Sequence, residues 1–281
     1  MAFLSYVSGV AHSCRRYFLA LSVALLFAGN AAAQNIGTIF TDLWYTVGED
    51  GWGVTIDHQQ NVMFLTFFVY GADRSPHWVT AVLTKVGTNG LLAPPQVFAG
   101  NVYEDHGPWF GGPFDSATVV EATVGTATFT APTALGATLR YSINGVEVTK
   151  NIQRETLSLV NYSSSYGGGT AYTLSNCQNP AQNGTVITDT GTLNIIQSGA
   201  AFQMTTAAQR ANCAFTGTYS QQGLIGKVDG TFECTDTTRG SFRMFFMQWT
   251  LFGMSAGIQL QSQFCSAEGF LGGITGNHTL P

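Results

Sequence analysis

The sequence predicts an all-β protein made of two antiparallel, up-and-down β-barrel-like or sandwich domains in tandem. Helical periodicity is nearly absent, while period-two alternation bounded by Gly, Asn, Asp and Pro recurs along the chain. Only 10% of the residues are charged against a norm of roughly 25%, and Gly, Thr and aromatic residues are plentiful. Turn signals recur at short intervals, so consecutive strands should join as meanders.

Residues 1–33 read as an export signal. Arg15 and Arg16 precede the apolar run YFLALSVALLFAG, and NAAAQ supplies small residues for cleavage after Ala33. The run is well short of the ~20 apolar residues a bilayer span needs, and no later stretch reaches that length, so no transmembrane span is expected. A periplasmic or secreted location follows. Cys14 lies before the apolar run, which argues against a lipid-modified N-terminal cysteine. Cleavage would remove two arginines and no acid from a chain whose formal charge is already −5. Such a chain lacks the basic footprint of a nucleic-acid binder.

The first domain, residues 34–158, should carry strands near residues 53–59, 62–70, 77–86, 96–103, 119–130, 138–143 and 146–153. Its clearest unit is ATLRYSINGVEVTKNI, because Asn144 and Gly145 both tolerate the positive φ of a two-residue type I′ turn. That turn sets Ile143 opposite Val146, Tyr141 opposite Val148 and Leu139 opposite Lys150. Arg140 and Glu147 then meet on the wet face as a weak ion pair. The polar stretch LVNYSSSYGGGT reads as a change of unit rather than a strand, with the boundary near Leu159.

The second domain, residues 159–281, should carry strands near residues 170–177, 190–196, 201–206, 212–220, 225–234, 241–251, 256–264 and 269–275, enough for an eight-stranded barrel. Its four cysteines, in an exported chain, favour two disulfides. A zinc site is disfavoured, since no pair has C-x-x-C spacing and the nearest histidine is His278. If Gly223-Leu224 forms a II′ turn, Cys213 faces Cys234 in the non-hydrogen-bonded class, where side chains come closest. Cys177 and Cys265 then pair, which requires the first and last strands to be neighbours in a closed barrel; an open two-sheet sandwich is the alternative.

Two strands are too apolar for a one-sided sheet: VMFLTFFVY from Val62 to Tyr70, and FRMFFMQWTLF from Phe242 to Phe252. Their outer faces need cover, either by packing of one domain on the other through these strands or by a homodimer. An outer-membrane barrel fits less well, because most strands alternate with Thr, Ser and Gln instead of presenting a continuous lipid-facing band.

Reactive side chains concentrate in the first domain. Glu49 and Asp50 in GEDGWG lack an EF-hand ligand series and read as a solvated loop. His58, His77 and His106 lie on different strands, and although Asp57, Glu104 and Asp105 stand near them in sequence, no metal site is expected. No G-x-S-x-G, P-loop or dinucleotide fingerprint appears, so no catalytic residue, cofactor or mechanism is nominated. The aromatic set is more suggestive. Trp44, Tyr45, Trp52, Trp78, Trp109 and Phe110, with Phe114 nearby, should lie at strand ends or in the stiff loop HGPWFGGPF, either plugging a barrel or forming a platform for a small molecule or glycan.

The run WYTVGEDGWGVTI, followed by FVYGADRSPHWV and GPWFGGPFD, is similar to a recurring β-rich module of secreted proteobacterial proteins with a Trp-Tyr…Gly-Trp-Gly motif, over roughly residues 42–155. The resemblance implies an exported β-rich module and carries no site residue. The expected function is thus an exported, non-enzymatic binding module. The alternatives are a structural or protein-interaction component of the cell envelope, and a hydrolase at the mouth of the first barrel.

Overall fold

The computed structural model describes residues 40–87, 94–250 and 252–275, which fall within one compact unit. The expected export signal with its cleavage at Ala33, and His278, lie outside the described residues.

Each half of the chain closes into an eight-stranded antiparallel barrel. The first runs β1 (Asp42–Tyr45), β2 (Gly53–Gln59), β3 (Val62–Tyr70), β4 (Pro76–Lys85), β5 (Gln96–His106), β6 (Val120–Ala131), β7 (Gly136–Ile143) and β8 (Val146–Arg154), with β1 pairing back onto β8. The second runs β9 (Ser164–Ser175), β10 (Val186–Ser198), β11 (Ala201–Ala208), β12 (Cys213–Gln222), β13 (Ile225–Cys234), β14 (Arg239–Thr250), β15 (Gly253–Ser262) and β16 (Ser266–Ile274), with β16 pairing back onto β9. Closure in both halves excludes the open sandwich and leaves no unpaired sheet edge.

Local chemistry sets the register where it was expected to. At the β7–β8 turn Asn144 and Gly145 have φ of 50° and 82°, and the pairs 143/146, 141/148 and 139/150 form. Arg140 Nη2 donates to Glu147 Oε2 at 2.7 Å on the outer face. Gly223 has φ of 58°, Cys213 sits opposite Cys234, and both predicted disulfides are present, Cys213–Cys234 and Cys177–Cys265. The Cys213 and Cys234 amides donate away from each other, to Thr206 Oγ1 and to the Thr238 carbonyl, as a non-hydrogen-bonded pair requires.

Three expectations are corrected. Asp42–Tyr45 is a strand: only with it does the first barrel reach eight strands and close, through Trp44 opposite Arg154. Most of LVNYSSSYGGGT is also strand, because β9 begins at Ser164; its glycines sit where strands approach closely, and a Cβ on Gly168 would strike the Gly272 carbonyl. Thirdly, the barrels do not cover each other's apolar strands. Phe64 and Phe68 on β3 remain about half exposed, as does Phe246 on β14. The barrels meet elsewhere. The Gly223 turn presents Leu224 N–H to Asp42 Oδ2 at 2.9 Å and Gly223 N–H to Thr156 Oγ1 at 2.9 Å, while Gln222 Nε2 donates to the Leu135 carbonyl at 3.2 Å. These are polar contacts of a tight turn, which offers little apolar area to bury.

Candidate functional site

The two lumens differ in what their inward rows carry. In the first barrel Phe40, Trp44, Phe67, Phe98 and Phe129 fill the interior with edge-to-face and tilted rings, and all are buried. Trp44 Nε1 donates to the Phe40 carbonyl at 2.9 Å, and the Arg154 guanidinium lies 4.9 Å from the Trp44 ring centre. Arg154 itself is buried and bonded to Asp42 Oδ2 at 2.9 Å and to the Ala134 carbonyl at 2.8 Å. This lumen is packed solid.

The six aromatic candidates therefore do not converge. Trp44 belongs to the core. Tyr45 is half-buried at the rim, where its hydroxyl accepts from Gln153 Nε2 at 3.0 Å. Trp52 packs partly on the core and donates from Nε1 to Glu49 Oε2 at 2.8 Å, with Lys150 Nζ 5.5 Å from its ring centre. Trp78 stands on the outer wall opposite Phe68, 55% exposed. Trp109 is 71% exposed and Phe110 is 95% exposed in the β5–β6 loop, their ring centres 5.8 Å apart.

The acids and histidines fare similarly. Glu49 is not merely solvated: Lys150 Nζ bonds its Oε2 at 2.6 Å, and that hydrogen bond, with the one from Trp52, holds the carboxyl below its ordinary range. His77 and His106 approach Glu104 Oε1 at 3.9 and 3.7 Å, whereas His58 lies at the opposite end of the barrel against Phe40 and Phe98. Among the described residues no three His, Cys, Asp or Glu side chains are arranged to hold a metal ion.

The second barrel is plugged at one end and hollow at the other. Residues 158–163 fold under it. Tyr162 N–H donates to Gln197 Oε1 at 3.0 Å, Val160 N–H to Gln221 Oε1 at 2.8 Å, and Tyr166 donates from its hydroxyl to the Tyr162 carbonyl at 2.9 Å. Burial pushes Tyr162 above the ordinary phenol range, and it pushes Tyr166 and Tyr219 up to about 12, so this plug stays neutral. Above the plug Phe215 and Phe232 stack at 5.5 Å, with Phe242 edge-on to Phe215 at 5.1 Å. Beyond these rings a cavity of about 560 Å³ opens toward the end that carries both disulfides.

The cavity exists because inward positions that carry rings in the first barrel carry small residues here. Thr170, Gly191, Thr206, Ala208 and Ala267 all line it. Gly191 cannot be replaced cheaply, since a Cβ there would strike the Ala207 carbonyl where the strands bend together. Leu174, Ile187, Leu193, Ile258 and Leu260 supply the apolar wall. Asp189, Arg210 and Asp236 ring the mouth with Tyr172, whose hydroxyl burial and the neighbouring Asp189 charge hold above its ordinary range. The Asp189 carboxylate accepts from three backbone amides, Thr190 at 2.9 Å, Gln209 at 3.1 Å and Arg210 at 3.2 Å, and so ties the β11–β12 loop to the rim. Sequence reasoning placed the site in the first domain because rings and acids gathered there; the run of small inward residues in the second was the available signal.

Comparison with known proteins finds no family model, curated protein or solved structure that matches the chain.

Proposed function

We propose that the protein is an exported, non-enzymatic binding protein whose second barrel holds one small, mostly apolar molecule. The observation that carries this is the cavity of about 560 Å³, its wall largely apolar with Thr170 and Thr206 among the leucines and isoleucines, and its charged side chains toward the mouth. Its size lies within the ~300–1,000 Å³ of small-molecule sites. A glycan would need a series of polar partners along the wall, where the threonines are few and Thr206 already accepts from Cys213 N–H. The two disulfides stand at the open end, where they brace a mouth that has no packed core to hold it. Native mass spectrometry of the full exported chain should show a bound molecule that survives gentle transfer. Ala267→Trp, which projects an indole into the cavity, should fold and release it. Retention of the molecule by that variant would place binding elsewhere.

A second reading rests on the outer wall of the first barrel. Phe64, Phe68, Trp78 and Val82 pair across β3 and β4 and are all at least 40% exposed, the kind of patch that marks a protein interface. On this reading the protein self-associates or docks on another envelope protein, and Phe68→Lys should abolish any oligomer seen in the same mass spectra.

A further inference from the structure

We infer that the ligand of the second barrel is a single-chain amphiphile with a carboxylate head, its tail in the cavity and its head at Arg210 and Tyr172. The inference rests on the cavity reading above and adds the charge and polarity of the ligand.

The mouth holds three ionised side chains, and they are not equivalent. Asp189 is committed, accepting three backbone amides from its own strand and from the β11–β12 loop. Asp236 is turned onto its own loop, where Oδ1 accepts from Thr238 N–H at 2.9 Å. Amide dipoles thus partly compensate both carboxylates, and a cationic head would have to displace those bonds or share their oxygens. Arg210 differs. It is the one cationic side chain that lines the cavity among the described residues, and there it makes no ion pair. Its guanidinium offers a planar fork that fits a carboxylate.

Tyr172 completes the arrangement. It lines the cavity next to Thr170 and Leu174, and no described residue engages its hydroxyl. As a phenol it can donate to an anion, and it lines the cavity opposite Ile187 and one inward position from Asp189, close to the charged side chains of the mouth. Leu174 and Ile187 flank it on the mouth side of their strands, while toward the plug Leu193 and Ile258 offer an alkyl chain no polar partner, and the stacked Phe215 and Phe232 end the tunnel. An aliphatic tail loses nothing there and leaves water. The rings close the depth, and a cavity of about 560 Å³ falls in the range of a site for one small molecule, hence one tail.

The test compares dodecanoate, dodecanol and dodecyltrimethylammonium, each below its micellar concentration, by displacement of an environment-sensitive fluorophore from the full disulfide-bonded chain. Dodecanoate should bind more tightly than either of the others. Arg210→Gln should weaken dodecanoate about fivefold, the scale of a partly exposed ion pair, and leave dodecanol unchanged. Tyr172→Phe should weaken dodecanoate by a smaller factor, and Arg210→Lys should restore part of the loss. Equal binding of the three probes, or tighter binding of the cation, overturns the head-group inference while the cavity reading stands. Failure of all three to displace the fluorophore, or equal displacement from Ala267→Trp, overturns both.

Discussion

Arg154 keeps a full charge where its side chain has no exposed surface, and four contacts make that tolerable: the Asp42 carboxylate, the carbonyls of Ala134 and Thr41, and the face of Trp44. Burial pulls its pKa down and Asp42 offsets the pull. Removing one partner leaves the other charge uncompensated, so Asp42→Ala should cost about 3 to 5 kcal/mol in urea unfolding, while the pair replacement Asp42→Leu with Arg154→Met should cost much less. Similar losses for the single and double variants would mean that the pair's charge complementarity is not what matters. His58 shows the opposite device. Its Nδ1 accepts Phe40 N–H at 3.2 Å and its Nε2 lies 2.8 Å from the Gln60 carbonyl, a set that only the neutral imidazole satisfies. Burial lowers its pKa, with Lys85 and Arg154 adding to the pull and Asp57 and the Gln60 carbonyl opposing it. The unfolded chain therefore takes up a proton that the folded chain refuses. This part of the stability is full above the unfolded value of about 6.5 and is lost as pH falls below it. His58→Gln should flatten the decline in unfolding free energy between about pH 7.5 and about pH 5, and an unchanged slope would assign the decline to the carboxylates alone.

Among the elements, the β1–β2 and β5–β6 connections contain similar rings put to different use. Trp52 is clamped by Glu49 and Lys150 and packs on the core, whereas Trp109 lies over its own loop against Gly111. Trp52→Ala should cost about 2 to 3 kcal/mol, somewhat less than a fully buried ring, and Trp109→Ala should stay within about 0.5 kcal/mol. Equal losses would put Trp109 in a packing role that its exposure contradicts. The two disulfides also separate by element. Cys177–Cys265 spans 88 residues and joins the strands that close the barrel, while Cys213–Cys234 spans 21 within one hairpin. Replacing the first pair with serine should cost about 1 kcal/mol more than replacing the second, from loop length alone. At the β12–β13 turn, Gly223 combines positive φ with a Cβ position already taken by Asp42 and Arg154, so alanine there is strained and pushes the barrels apart.

At the scale of the whole molecule, two barrels with separate cores are joined by a few polar contacts at one turn. Cores that share so little should unfold as distinct units. Among the described residues all the cysteines belong to the second barrel, so calorimetry should resolve two transitions of which reductant moves only one. A single transition that shifts as a whole would show that the Gly223 contact couples the barrels more strongly than its hydrogen bonds suggest.

The sequence by itself determined the fold class, the two hairpin registers and the Cys213–Cys234 pair, because each rests on local rules: alternation assigns faces, Asn-Gly and Gly223 fix turn geometry, and a turn fixes which cysteines face each other. Cys177–Cys265 instead followed by elimination and required the closed barrel. Asp42–Tyr45 escaped as a strand because four residues are too few to show a period, and Ser164–Ser175 escaped because its serines and glycines look like loop. Closure alone decides both, since each strand exists to complete a barrel. Only the tertiary structure settled which lumen is full. Whether Trp44 plugs a barrel or lines a site depends on the volume the opposite strands leave it, and Phe40, Phe98 and Phe129 leave none. The same holds for the cavity. Thr170, Gly191, Thr206 and Ala267 are unremarkable one by one and come from four different strands, and space appears only where closure turns all of them toward one axis.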